Sequence, residues 1–435
     1  MSANSSQPIR VALAGCGTVG TGVLRILVQR GDELYARSGL RFEVAAILER
    51  DPTRPRGVAV PHARFVRAPD ELDELLVDGS VDVLVEVLGG TDAARHVALA
   101  ALEKGLPVVT ANKALIAIHG RELFDVARRH GTCVAFEASC AGGVPVVAAI
   151  QRGLIATRIN AVYGIVNGTC NYVLTEMLEK NRSYAEALGE AQRLGYAEAD
   201  PTLDVDGTDS AHKLAILALL ALGADLDVGA IDVEGIQSIH QADLAIARTL
   251  GYACKLLAIG LRTDAGLSLR VHPALVPLDH PLARTRGVTA AAVFLGDAMD
   301  QLVLSGSGAG SLPTAGAVVS DLVEVACGNA RRDFERLPIF REPNRAPPFV
   351  PAGDMEYRYY LRCFVDREPN AAAITNILAS ARVDVDTRTR PDADSVVLIT
   401  RRVREDDLRA AVAEVRKLVP EPPPVVLRFV EPNGE

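Results

Sequence analysis

At 435 residues the chain exceeds what one compact core accommodates, so two or three domains are expected. Hydrophobic residues make up 49% and charged residues 23%, and no apolar run reaches the ~18–20 residues that span a bilayer, so a membrane protein is not expected. A net charge of −9 disfavours nucleic-acid or anionic-membrane binding, and seven Cys without paired spacing point to a reducing cytoplasm rather than a disulfide framework.

The start, Met1 to Arg10, is polar and lacks the apolar stretch of a secretory leader. Short apolar runs follow at Ile9–Ala14, Val44–Leu48, Val81–Leu88, Val108–Thr110 and Cys133–Phe136. They alternate with amphipathic segments such as Leu72–Val77 and Ala93–Glu103, which predicts βαβ units and a parallel sheet. From Gly143 to Ser311 the pattern is richer in helix, at Asp209–Leu222 and Leu244–Ile259, with β-like runs at Arg158–Val166 and Val293–Leu304. Helix returns at Thr314–Cys327. Arg331–Pro351 is rich in Arg and Pro with little periodicity and reads as a linker. The tail, Tyr357–Val430, reads β–α–β–β–α–β, a small separate α+β domain.

After the first apolar run comes Gly15-Cys16-Gly17-Thr18-Val19-Gly20, opening a helix. Such glycines permit a tight turn and close approach of a pyrophosphate to a helix N-terminus. The pattern alone is weak, since a Gly-rich turn can simply pack helix on strand. Its place between strand and helix near the N-terminus is the context a dinucleotide site requires. The second apolar run ends at Leu48, followed by Glu49-Arg50-Asp51 and Arg54. An acid there holds the ribose hydroxyls of NAD, whereas Arg pairs with the 2′-phosphate of NADP. Both types are present, and two Arg against one well-placed acid favour NADP, with NAD still open.

Of the 46 basic residues, 40 are Arg and six are Lys. A Lys that survives such a bias marks a position where an ammonium is needed, because Lys can lose its proton and Arg essentially cannot. Lys113 follows Thr110-Ala111-Asn112 at a strand end, where ligands of open α/β sheets bind. Lys213 closes the segment Gly195–Lys213, in which five carboxylates fall within twelve residues before an apolar helix. Asp209 and Lys213 are i, i+4 on one helical face. Acids at a helix N-terminus and a surface ion pair explain part of this pattern. They do not explain a Lys leading straight into Leu214–Leu220. A buried, carboxylate-paired Lys is a candidate proton donor, and the spare carboxylates suit a substrate ammonium.

These motifs, together with Glu86–Gly90, Glu137–Pro145, Gly164–Tyr172 and Gly306–Gly310, stand in an order that resembles homoserine dehydrogenases over roughly residues 9–330. The resemblance implies an NAD(P)H-dependent reduction of aspartate 4-semialdehyde to homoserine. It implies Lys213 as proton donor with Asp209 as its partner, and Glu198 as the carboxylate for the substrate amino group. Tyr196, Asp204, Gly168 and Thr169 match positions lining the amino-acid site, and Lys113 one that contacts both the nicotinamide end and the substrate. Thr18, Val19, Gly195 and Gly308 match cofactor contacts beside Gly15, Gly17, Gly20 and Arg50. Glu137, Cys140, Gly142 and Val144 match positions that bind a monovalent cation, typically sodium, largely through main-chain carbonyls.

The fold expected is α/β, a Rossmann-type parallel sheet with an α+β catalytic and dimerisation domain and a small ACT-like tail. The expected division is 1–142, completed by 311–330, for the dinucleotide; 143–310 for substrate and dimerisation; 331–354 as linker; and 355–435 as tail. The tail resembles an ACT domain, a small-molecule regulatory module, which implies threonine as a possible effector and a homodimer or homotetramer. Its first turn carries Pro369-Asn370 where such domains usually have Pro-Gly. Two rival functions remain. A thioester-forming dehydrogenase requires a Cys activated by a neighbouring His, and neither Cys140 nor Cys170 has one nearby in sequence. A non-catalytic cofactor-binding protein leaves the acidic segment and Lys213 unexplained.

Overall fold

The computed structural model describes residues 7–77, 79–341, 347–365, 368–419 and 421–430. Contacts divide the chain into two compact units. The first holds residues 1–158, 215–228 and 304–346, and the second residues 159–214, 229–303 and 347–435.

The first unit is built on six parallel strands: β1 (Ile9–Ala14), β2 (Phe42–Leu48), β3 (Arg64–Val66), β4 (Val83–Glu86), β5 (Val108–Thr110) and β6 (Val134–Ala135). Their order is β3-β2-β1-β4-β5-β6, the doubly wound arrangement, with its reversal between β1 and β4. Val11 to Ala14 are all buried, as expected where both faces of a parallel strand are covered. The helix Thr18–Leu24 follows β1 and packs on the helix Ser311–Ala326. A Cβ on Gly22 would stand 2.7 Å from the Ser311 carbonyl and 2.9 Å from Ala315 Cβ, so only Gly allows this approach.

The supposed linker Arg331–Pro351 begins as ordered structure. Asn329–Arg336 is helical and Pro338–Phe340 forms a 3₁₀ turn. Phe334 and Phe340 are buried with Phe124 and Phe136 in one aromatic cluster of the first unit. Apolar anchors three to six residues apart among Arg residues fix this segment, and the Arg-rich composition hid them. Residues 342–346 lie outside the described residues.

The second unit carries a mixed sheet. Its strands are β7 (Ile159–Ile165), β8 (Asp232–Val233), β9 (Tyr252–Thr263), β10 (Gly266–Pro277), β11 (Thr289–Gly296), β12 (Met299–Ser307), β13 (Glu356–Tyr357), β14 (Tyr359–Phe364), β15 (Val385–Asp392), β16 (Ser395–Thr400), β17 (Val403–Arg404) and β18 (Val425–Phe429). The main path runs β12-β11-β7-β9-β10-β18-β14-β16-β15, while β13 and β17 pair separately. Two expected elements differ. Leu244–Ile259, expected as one helix, is helix only to Thr249, because Gly251 at φ +90° ends it and β9 begins at Tyr252. Val293–Leu304, expected as one run, is two strands joined at Asp297-Ala298.

The tail belongs to the second unit and shares its sheet. β18 pairs in parallel with β10, at Ala274 with Arg428 and Leu275 with Phe429, which makes the tail sheet continuous with β10. Buried charges reinforce the join. Arg270 Nη1 donates to Glu405 Oε2 at 2.8 Å, and Arg428 donates to the same oxygen at 3.0 Å and to Glu234 at 2.8 Å. Burial alone would raise the Glu405 pKa, yet Arg428 and Arg270 hold it at about 2. Arg362 on β14 forms a bidentate pair with Asp243 at 2.6 and 2.8 Å. Among the described residues, no helix is long and apolar enough to cross a membrane.

Removal of residues 355–435 is therefore expected to destabilise the second unit, read as loss of soluble protein and a lower melting temperature. Glu405→Ala, which removes the buried carboxylate that Arg270 and Arg428 share, is expected to cost roughly 3–5 kcal/mol in urea denaturation.

Candidate active site

In the first unit, the candidate nucleotide site lies at the carboxyl ends of β1, β2, β4 and β5. Gly15 adopts φ +99°, and a Cβ there would meet the Val87 carbonyl at 2.7 Å. A Cβ on Gly20 would stand 2.2 Å from the Gly15 carbonyl, so the turn closes tightly on the helix. A Cβ on Gly17 would meet nothing within 4 Å, which leaves the loop open where a phosphate approaches. Thr18 and Val19 form the first helical turn, and no side chain caps it, so its amides face outward to an anion. These features fit a dinucleotide.

Beyond β2, the Glu49 carboxylate accepts the Asp51 amide at 3.2 Å and lies 3.4 Å from the Arg56 guanidinium. Arg56 also donates to the carbonyls of Asp51, Pro52 and Arg54, and so holds the loop together. Nothing in the local sequence pattern marks Arg56 for this role. The side chains of Arg50 and Arg54 are exposed. Asn112 ends the β5 loop and caps the helix Lys113–Arg129, accepting from the Leu115 amide at 3.0 Å, so Lys113 sits at the positive end of that helix. Gly308 lies in the same unit, in close contact with Gly142, whose added Cβ would stand 2.4 Å from the Gly308 carbonyl.

The second unit carries a separate cluster, the candidate amino-acid site. The helix Thr208–Leu222 carries Asp209 and Lys213 one turn apart, and their side chains meet at 2.7 Å. Lys213 Nζ also donates to the Val166 carbonyl at 2.7 Å. Asn167 Nδ2 donates to Asp209 and to Asp204, each at 2.8 Å, and its Oδ1 caps the helix Gly168–Glu179 by accepting the Cys170 amide. Thr169 Oγ1 lies 2.7 Å from the Tyr196 carbonyl and 3.2 Å from Asp204. Burial raises the Asp204 pKa, opposed by the Asn167 hydrogen bond. Gly168 packs at 3.1 Å, measured from an added Cβ, against the Val288 carbonyl. The structure thus gathers Lys213, Asp209, Asp204, Gly168 and Thr169. It leaves Glu198 and Tyr196 exposed, with the Tyr196 ring 5.0 Å from Tyr172, and Gly195 in an exposed left-handed turn.

The predicted cation positions surround a turn in the first unit. Glu137 is buried and accepts the Val147 and Ala148 amides at 2.9 and 2.7 Å, while its own amide donates to Asp321. Burial raises both carboxyl pKa values, that of Asp321 strongly. Ala141 at φ +56° and Gly142 at φ +57° bend the chain between Cys140 and Val144, an uncommon conformation for Ala.

Residues 15–137 match the family described as homoserine dehydrogenase, NAD binding domain, and residues 145–323 match the family described as homoserine dehydrogenase. The chain belongs to the homoserine dehydrogenase family. It is 40% identical to homoserine dehydrogenase of Pseudomonas aeruginosa over 98% of this chain and 99% of that one. The Neisseria gonorrhoeae enzyme is 37% identical, over 95% and 96%. The crystal structure of a homoserine dehydrogenase from Thiobacillus denitrificans superposes with a TM-score of 0.89 at 37% identity, covering 98% and 99%. The chain is an NAD(P)-dependent oxidoreductase of amino-acid biosynthesis, and its reaction interconverts aspartate 4-semialdehyde and homoserine.

Sequence reasoning overlooked the support beneath this family site. Lys255 is buried on β9, donates to Asn171 Oδ1 at 2.9 Å and to the Thr285 carbonyl, and burial lowers its pKa to about 8. Asn171 in turn donates to the Gly287 carbonyl at 3.0 Å, bracing the loop that packs on Gly168. Lys255 was visible as one of six Lys but fell within the supposed helix. Lys255→Met leaves the buried Asn171 oxygen without its donor and is expected to cost roughly 1–3 kcal/mol in denaturant unfolding.

Proposed function

We propose that Lys213 donates the proton to the oxygen of the reduced aldehyde, with Asp209 fixing its ammonium. The observation that carries this is the pair of acceptors on Lys213 Nζ, Asp209 and the Val166 carbonyl, both at 2.7 Å. A bound nicotinamide cofactor supplies the hydride. The ammonium stabilises the developing oxyanion and then releases its proton to it. Asp204, Thr169 and Gly168 line the amino-acid site, and Glu198 with Tyr196 joins them from the same acidic segment. Lys213→Ala is expected to lower turnover by ~100-fold or more while NADP(H) binding changes little. Near-normal turnover would remove the assignment.

Gly15, Gly17, Thr18, Val19, Gly20, Gly195, Gly308 and Lys113 are assigned to the cofactor, and the preferred form is NADP. Glu49 supports this choice, since its carboxylate faces Arg56 while Arg50 and Arg54 present exposed guanidinium groups. Arg50→Ala should weaken NADP binding far more than NAD binding, because only NADP carries the 2′-phosphate. Equal losses would return Glu49 to the ribose.

Glu137, Cys140, Gly142 and Val144 are assigned to a monovalent cation, sodium. Sodium chloride should raise the melting temperature above that in choline chloride of equal concentration, and Glu137→Gln should abolish the difference. The β–α–β–β–α–β tail supports an ACT-like module. Its role is pairing of subunits into a homodimer or homotetramer, with threonine a weak effector or none because Asn370 replaces the usual Gly. The setting proposed for the enzyme is the cytoplasm.

A further inference from the structure

Glu86 carries no role in the reaction as described, yet its position is unusual. It is fully buried at the last residue of β4, in register with Ala14 of β1 and Thr110 of β5. The strand order reverses between β1 and β4, and a dinucleotide crosses the sheet at that crevice. The adenosine ribose belongs at the end of β2, so the nicotinamide half falls on the β4 and β5 side. Glu86 Oε1 accepts the Leu88 amide at 2.7 Å, and Oε2 accepts the Thr110 hydroxyl. That hydroxyl accepts the Asn112 amide at 2.9 Å, and Asn112 Nδ2 donates to the Gly90 carbonyl at 2.7 Å. One carboxyl therefore ties together both loops at the nicotinamide end. A neutral Gln could join the same loops, whereas a buried carboxylate carries a desolvation cost that packing does not require.

We propose that Glu86 sets the charge of the cofactor site, its buried carboxylate favouring the cationic oxidised nicotinamide over the neutral reduced ring. The inference rests on the nucleotide site described above. Burial raises the Glu86 pKa to about 7, against the opposing hydrogen bonds of Thr110, Leu88 and Asn112, so its protonation can answer to a nearby charge. The facing residues Ala14 and Thr110 are uncharged. Arg10 on β1 is bonded to Asp82, and on the helix Asp92–Glu103 Arg95 is bonded to Glu122 and His96 to Asp73. Asp92 is exposed, and Lys113 opens the helix after β5. A cation arriving beside a buried acid lowers its pKa and favours release of its proton.

The test is calorimetric titration of the full chain with NADP⁺ and with NADPH at pH 7, in two buffers of different ionisation enthalpy. The 2′-phosphate is common to both ligands, so the difference in proton exchange isolates the ring charge. Wild type should release more protons with NADP⁺ than with NADPH. Glu86→Gln should bind both without that difference and shift the NADP⁺ to NADPH affinity ratio about tenfold toward NADPH. Glu86→Asp, which keeps the charge, should retain the difference. Equal proton exchange for the two ligands in wild type, or an unchanged difference in Glu86→Gln, overturns the proposal while leaving the nucleotide site intact. Failure of wild type to bind either nucleotide overturns the site itself and the proposal with it.

Discussion

One side-chain amide organises the candidate amino-acid site. Asn167 donates to Asp204 and Asp209 from a single nitrogen, and its oxygen caps the helix Gly168–Glu179. Two carboxylates drawn together out of water repel one another unless donors and a cation answer them. Asn167 supplies the donors and Lys213 the cation, so the position of the ammonium follows from that of the amide. Because the amide also caps the next helix, Gly168 and Thr169 are placed by the same residue. Lys255 and Asn171 hold the opposite side of that turn through the loop 285–289.

The acidic segment rests on a second support. The Ile236 amide donates to the Val205 carbonyl at 2.9 Å, and an added Cβ on Gly235 would stand 2.2 Å from the same oxygen. The neighbouring Glu234 is bonded to Arg428 on β18. The substrate loop and the tail therefore lean on one short stretch of chain. Arg428, Glu405 and Arg270 are buried where an apolar cluster would also fill the space. Such clusters are costly to break once formed, which makes the tail part of the catalytic unit's stability.

Local signals in the sequence carried far. The i, i+4 spacing of Asp209 and Lys213 became a 2.7 Å ion pair, and Gly15 to Gly20 stood between a strand and a helix as its pattern required. Five of the six parallel strands followed from the alternation of apolar runs and amphipathic segments, and β3, three residues long, did not. What escaped was set by contacts distant in sequence. β9 is buried over most of its length, so Cys254 to Ile259 lacks the alternation that marks a half-exposed strand and resembles a buried helix. The pairing of β18 with β10 joins residues about 150 apart, and no local pattern announces it. Asn167 appeared only as one letter of a motif, since its two acceptors lie 37 and 42 residues away.

The central claim is that Lys213, held by Asp209 and the Val166 carbonyl, is the group that exchanges a proton with the substrate oxygen. A crystal structure of the enzyme with homoserine and oxidised cofactor measures this directly. The account predicts the homoserine hydroxyl within ~3.2 Å of Lys213 Nζ, or joined to it through one ordered water, with the Asp209 contact retained. A hydroxyl seated against another ionisable side chain, with neither contact to Lys213, would contradict it.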